Sequence, residues 1–196
     1  MTKIGLTGGL GTGKTTVLKM FRALGAKTWD ADDAVRRELN GDLALRRRIR
    51  AALGGSFFTA GRIDRRRLAR EVFASPRKLA KLNALVHPAV KKRLLEFFRR
   101  NKKSRVLVAE VPLLFETDFY RLFDVRVCVT ARRGMRSRRL MASRRYTPQD
   151  IAQRERHQLS LSRKIARCDM TIDNNGTRSE TYRQVKKIME EEKWKN

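Results

Sequence analysis

Gly8-Gly9-Leu10-Gly11-Thr12-Gly13-Lys14-Thr15-Thr16 follows directly on the short apolar run Ile4-Gly5-Leu6-Thr7. Glycines so closely spaced let the chain turn tightly and aim several backbone N–H groups at one anion, while a helix starting there adds the positive end of its dipole. Gly8, Gly13, Lys14 and Thr15 occupy the fixed positions of G-x-x-x-x-G-K-[ST]. In that spacing the lysine reaches the outer phosphates of a nucleotide and the hydroxyl ligates magnesium, with Gly9, Gly11, Thr12 and Thr16 completing the cradle. The flanks supply the context the motif requires. Lys3 to Thr7 reads as a strand, and Thr15 to Leu24 reads as a helix with Val17, Leu18, Met20, Phe21 and Leu24 apolar.

Acidic residues stand where such a cradle needs them. The second strand-like stretch ends in Asp30, Asp32 and Asp33, and in a parallel sheet the carboxyl ends of the strands border the ligand crevice. Phosphoryl transfer to an alcohol needs positioning, cations around the moving group and a carboxylate that accepts the hydroxyl proton. Asp32 is the candidate for that carboxylate, and Asp30 or Asp33 reads as the cap of the next helix. Glu110, near the end of the third strand, has two readings: it holds magnesium through water, or it pairs with one of the many arginines. Pro112 stops that strand, and Leu113-Leu114-Phe115 then forms an apolar wall, either core or substrate pocket.

These residues must be carried by alternating short apolar and longer amphipathic segments, the pattern of a parallel sheet wrapped by helices. Candidate strands are KIGLT, AKTWD, RVLVAEV from Arg105, DVRVCVT from Asp124 and MTID from Met170. Five strands predict an α/β fold, a three-layer α/β/α sandwich with a five-stranded parallel sheet built from residues 1–33, 104–131 and 168–196. Residues 34–103 contain no good strand and read as helix after helix, including DRRRLAREVF and PAVKKRLLEFF, with the loop GGSFFTAGR between them. They form a helical insertion. Residues 132–167 are also helical, with many arginines against two acids, Asp150 and Glu155. That composition suits a positively charged lid over phosphates and equally a solvated arginine face.

The 196 residues leave room for one good core with an insertion or a lid. No run approaches the roughly 18 apolar residues of a membrane helix, and the start lacks a signal peptide's apolar stretch, so a cytoplasmic protein is expected. Cys128 and Cys168 are too few for a disulfide framework and are expected to be reduced, and with only His87 and His157 there is no His/Cys metal cluster. A formal net charge of +27 attracts polyanions of every kind, which admits a nucleic-acid partner. The basic residues are spread along nearly the whole chain, so any such contact is expected to be non-specific.

IGLTGGLGTGKTTVLKMFRALGAKTWDADD resembles the opening of the dephospho-coenzyme A kinase family. GRIDRRRLAREVF, LNALVHPAV, EVPLLFE and CDMTIDNNGT follow in the family's order, so the resemblance covers nearly the whole chain. It implies a P-loop kinase fold with a nucleotide-binding core, a helical substrate-binding insertion and a helical lid. It further implies ATP and Mg2+, with the ribose 3′-hydroxyl of dephospho-coenzyme A as acceptor. On this resemblance Asp32 matches the catalytic aspartate, and Gly8 to Thr16, with the essential Lys14, match the ATP loop. His87 lies in the region against the acceptor, although it also reads as a packed histidine at a helix start. Pro112 and Leu113 line the acceptor, and Thr15 and Glu110 serve the metal. Asn174, Asn175 and Gly176 follow the last strand where related kinases wrap the adenine, and Asn-Gly is also a good turn. Family members have an arginine soon followed by an acid after RLM, whereas this chain has Ser143 there, so Arg139 and Arg144 are assigned to close over the phosphoryl group. Arg154, Gln158 and Lys164 fit the downstream lid pattern. The competing expectations are a kinase of another small acceptor, such as a nucleoside monophosphate, and a nucleic-acid-associated ATP switch.

Overall fold

The computed structural model describes residues 1–143 and 147–191. Five parallel strands form one sheet: β1 (Thr2–Gly8), β2 (Lys27–Asp30), β5 (Val106–Glu110), β6 (Val125–Thr130) and β7 (Met170–Asp173), in the order β2-β5-β1-β6-β7. The central strands β1, β5 and β6 were legible as apolar runs because strands covered on both faces carry little polar alternation, and every residue of β5 is buried, whereas the edge strands β2 and β7 each bury one residue. Period-two sorting still decides which helix each side chain meets. Ile4, Leu6, Val106, Val108, Val125, Val127 and Val129 share one core with Val17, Leu18, Met20 and Phe21 of α1 (Lys14–Ala23) and with Val185 and Ile188 of α9 (Arg178–Glu190). The chain leaves β1 toward β2 on one side, while the β5-to-β6 connection crosses to the other. The loop after β1 therefore lies at the topological switch point, where open α/β sheets bind ligands.

The chain divides into two compact units, one of residues 1–30 and 97–196 and one of Ala31–Glu96. The helical pattern drew the insertion at 34–103, and the segment 132–167 belongs to the first unit with the sheet. In that segment lie α6 (Arg133–Ala142), α7 (Pro148–Arg156) and α8 (Leu161–Ile165). Among the described residues no helix is long and apolar enough to cross a membrane.

The second unit contains α2 (Ala31–Gly41), α3 (Leu43–Leu53), α4 (Arg65–Phe73) and most of α5 (Pro76–Arg100). Asp42 caps α3 by accepting from Leu45 N at 2.8 Å, and Asp64 caps α4 by accepting from Arg66 N and Arg67 N at 2.9 and 3.1 Å. Two expectations are corrected here. The loop GGSFFTAGR holds a small antiparallel hairpin, β3 (Phe58–Thr59) with β4 (Arg62–Ile63), turned by Ala60 and Gly61 at φ 48° and 73°. Two residues per strand give no periodicity to read, and the turn residues are the whole signal. His87 also does not stand at a helix start. The 25-residue α5 continues through Pro88, and its first turn belongs to Pro76, with Ser75 Oγ accepting from Lys78 N at 3.3 Å.

Beside β7, Asp169 accepts hydrogen bonds from the Arg126 backbone N–H at 2.7 Å and from its guanidinium at 2.7 and 2.8 Å. The Arg126 side chain holds the Asp169 carboxyl below its ordinary value of 3.8. A lowered carboxyl stabilises the fold above its ordinary value and loses that contribution as pH falls through the folded value. Arg126→Met is expected to cost about 0.5–1 kcal/mol at neutral pH, discounted for the exposed side of the pair. Thermal unfolding scanned from pH 7 down to about pH 2 should show that the variant's deficit closes below about pH 4.

Candidate phosphate-binding site

The backbone between β1 and α1 has positive φ at Gly8, Gly11 and Gly13, and the approach is tightest at the first and last. Gly8 has φ 146°, and a Cβ there would lie 2.3 Å from Val129 O. Gly13 has φ 90° in the left-handed region, and a Cβ there would lie 2.2 Å from Asn174 Nδ2. Thr12 is buried, with Oγ1 donating to Gly9 O at 3.0 Å. Lys14 is buried as well, and its Nζ bends back over the loop to donate to Gly9 O at 3.0 Å and Gly8 O at 3.4 Å. Carbonyl oxygens thus hold the ammonium beside the turn whose amides open α1. Thr15 and Thr16 are exposed in the first turn of that helix.

Two arginines of α6 lean on this loop. Arg136 Nε donates to Leu10 O at 2.9 Å, and its Nη2 is bonded to the Glu155 carboxylate of α7. Arg139 Nη2 donates to Asn174 O at 3.1 Å. Its Nη1 is buried and makes no hydrogen bond among the described residues, and it lies 3.6 Å from where a Gly13 Cβ would be. Sequence reasoning selected Arg139 and missed Arg136, whose only signal is its place three residues earlier on the same helix. Asn174, read from the sequence with Asn175 and Gly176 as the segment after the last strand, reaches the loop itself. That buried amide donates to Thr12 O at 2.7 Å and accepts from Thr181 Oγ1 at 3.0 Å, tying the end of β7 and α9 to the loop. Asn175 Oδ1 accepts from Arg132 N at 2.6 Å, and Gly176 precedes the Thr177 and Glu180 capping box of α9. Arg144 lies outside the described residues.

At the carboxyl edge of the sheet, Thr15 Oγ1 stands 3.3 Å from Glu110 Oε1, and Asp30 is the register partner of Glu110. A hydroxyl and a carboxylate at this spacing make an oxygen donor pair of the kind magnesium shares with phosphates and water. Among the described residues no group of three or more His, Cys, Asp or Glu stands together to hold a metal ion. The wall after β5 is partly exposed at Pro112 and Leu113 and buried at Leu114 and Phe115. Pro112 O accepts from Lys164 Nζ at 2.6 Å, and that ammonium pairs with Glu116 Oε1 at 3.0 Å. Lys164 is fully buried, so losing one partner of such a pair typically costs about 3–5 kcal/mol.

Asp32 and His87 belong to the second unit. Asp32 is exposed in the first turn of α2, where a carboxylate meets the positive end of the helix dipole. Asp33, beside it, pairs with Arg36 at 3.1 Å and Arg37 at 2.8 Å. His87 is half-buried in α5, and desolvation pushes its imidazole below the ordinary value.

The sequence model of the dephospho-CoA kinase family matches residues 2–180. A dephospho-CoA kinase of Geobacillus kaustophilus is 39% identical over 191 residues, covering 96% of this chain and 95% of the relative. A solved structure from Thermus thermophilus superposes with TM-score 0.82 at 31% identity, covering 96% of both chains. A shikimate kinase of Acinetobacter baumannii superposes with TM-score 0.60 at 14% identity, covering 96% of this chain and 91% of its own, which shows the shared fold alone.

Substitutions at the loop separate backbone demand from side-chain space. Gly13→Ala forces a strained φ and a clash with Asn174, and is expected to lower stability by about 2–3 kcal/mol. At Gly9 a Cβ meets only the Arg136 and Thr12 side chains at 3.4 and 3.5 Å, so Gly9→Ala should stay within about 1 kcal/mol of the parent. Paired denaturant titrations without nucleotide check the difference, which disappears if the loop does not hold this conformation.

Proposed function

The chain belongs to the dephospho-CoA kinase family, and on that premise we propose that it transfers the terminal phosphoryl group of ATP to the ribose 3′-hydroxyl of dephospho-coenzyme A. The product is coenzyme A, and the reaction is the final step of that cofactor's synthesis. The observation that carries the nucleotide's place is the Gly8–Thr16 loop, with the Lys14 ammonium on its carbonyls and, beside Gly13, an Arg139 Nη1 that has no hydrogen-bond partner among the described residues. A buried cationic donor with no protein acceptor is costly, and phosphate oxygens would satisfy it.

Gly8, Gly9, Gly11, Thr12 and Gly13 supply backbone to the phosphates, Thr15 and Thr16 open the helix beneath them, and Asn175 and Gly176 border the base. Thr15 and Glu110 would hold Mg2+, which when bound offsets charge on the phosphate oxygens. Lys14 and Arg139 stabilise negative charge as the phosphoryl group moves. Arg144 is a further candidate for that role from the sequence. Asp32 accepts the proton of the attacking hydroxyl, so its exposure in the free protein suits a group that must meet a substrate. Leu113, Pro112 and His87 contact the acceptor. The charge of +27 supports only salt-sensitive, non-specific attraction to nucleic acid.

A coupled assay offering dephospho-coenzyme A beside several nucleoside monophosphates tests the acceptor, and turnover is expected with dephospho-coenzyme A alone. Lys14→Ala should lower kcat/KM by about 100-fold or more. Asp32→Asn keeps shape and removes the base, so kcat should fall about 100-fold with ATP affinity little changed. Parent-like turnover in Asp32→Asn would remove that residue from the mechanism.

A further inference from the structure

Lys164 is fully buried, and the scheme above gives it no role. Its ammonium donates to Pro112 O at 2.6 Å and pairs with Glu116 Oε1 at 3.0 Å, so one cation from α8 grips both ends of the wall after β5. Glu116 Oε1 also accepts from Leu159 N at 2.7 Å, just before α8, which doubles the tie between the two segments. Pro112 O accepts in addition from the hydroxyl of Thr7 at 3.3 Å, and Thr7 is the residue before Gly8. One carbonyl is therefore shared by the strand carrying the phosphate loop and by the lysine of α8.

Packing an apolar wall does not require a buried charge, since hydrocarbon fills such space at lower desolvation cost. What an ammonium adds is direction, because its donors fix several acceptors at set angles. We propose that Lys164 is a positioning residue for the acceptor: it fixes the Pro112–Glu116 wall relative to the phosphate loop, so that the acceptor hydroxyl is held at one distance from the phosphoryl group. This rests on the reading of Pro112 and Leu113 as acceptor-facing.

The test uses the full chain with Lys164→Met, Lys164→Met/Glu116→Gln and Leu113→Ala, varying dephospho-coenzyme A and ATP separately. A misplacement near 1 Å can cost as much as about 100-fold, so kcat/KM for dephospho-coenzyme A is expected to fall at least about tenfold in both Lys164 variants. KM for ATP should stay within about twofold. The double variant removes both charges and is expected to regain the parent's thermal midpoint without regaining acceptor kinetics, a separation that a purely structural role does not produce. Parent-like acceptor kinetics in the folded double variant, or an equal change toward ATP, overturns the inference. If Leu113→Ala weakens the acceptor while the Lys164 variants do not, the inference fails and the wall reading stands. If all three keep parent kinetics, the wall reading fails too. Should the Lys164 variants not fold, hydrogen exchange of the unaltered protein decides. Dephospho-coenzyme A should then protect residues 112–117 and 159–165 together, and protection of the first segment alone overturns the proposal.

Discussion

The site depends on cations held against backbone carbonyls around one turn whose Gly8 and Gly13 leave no room for a Cβ. Lys14 rests on Gly8 O and Gly9 O, Arg136 on Leu10 O and Arg139 on Asn174 O. Each carbonyl is a weak, neutral partner compared with a phosphate oxygen, and together these contacts fix where the cations stand, with Arg136 tied in addition to the Glu155 carboxylate. An electrostatic site gains most when its charges need no reorganisation as the substrate's charge shifts. The turn makes this possible because Gly8 and Gly13 bring main chain within a Cβ's reach of Val129 O and Asn174 Nδ2.

The sheet explains why these groups converge. Thr7, Glu110 and Thr130 stand at or beside the carboxyl ends of three neighbouring strands, and the segments following them carry the loop, the wall and the arginines of α6. Strand β7 adds Asn174 next to Thr130, with Asn174 N donating to Thr130 O at 2.9 Å. A parallel sheet sends every such segment out on the same edge, so residues far apart in sequence need no separate device to meet.

What was legible in the sequence follows from what each feature demands of residue type. Gly8 and Gly13 could be read because a backbone at positive φ with no room for a Cβ leaves few alternatives. The central strands β1, β5 and β6 could be read because burial on both faces favours runs of Val, Ile and Leu. The β3–β4 hairpin could not, since two-residue strands carry no period, and α5 was read from Pro88 because a proline ordinarily marks a first turn. Arg136 was missed for another reason. Its role is set by α6 approaching the loop across more than a hundred residues of chain, and nothing local distinguishes it from other arginines.

The same distinction governs the charge. Most of the excess basic residues are exposed, where salt screens their field over about 8–10 Å. Lys14 and Lys164 are buried, and Arg136 and Arg139 are partly so, which places their charges in surroundings where each interaction is stronger than in water. The surface field can hasten the arrival of any polyanion, whatever its shape. Selection among those anions has to come from the few desolvated cations whose partners and angles are fixed, because only there does a misplaced oxygen leave a buried donor unsatisfied.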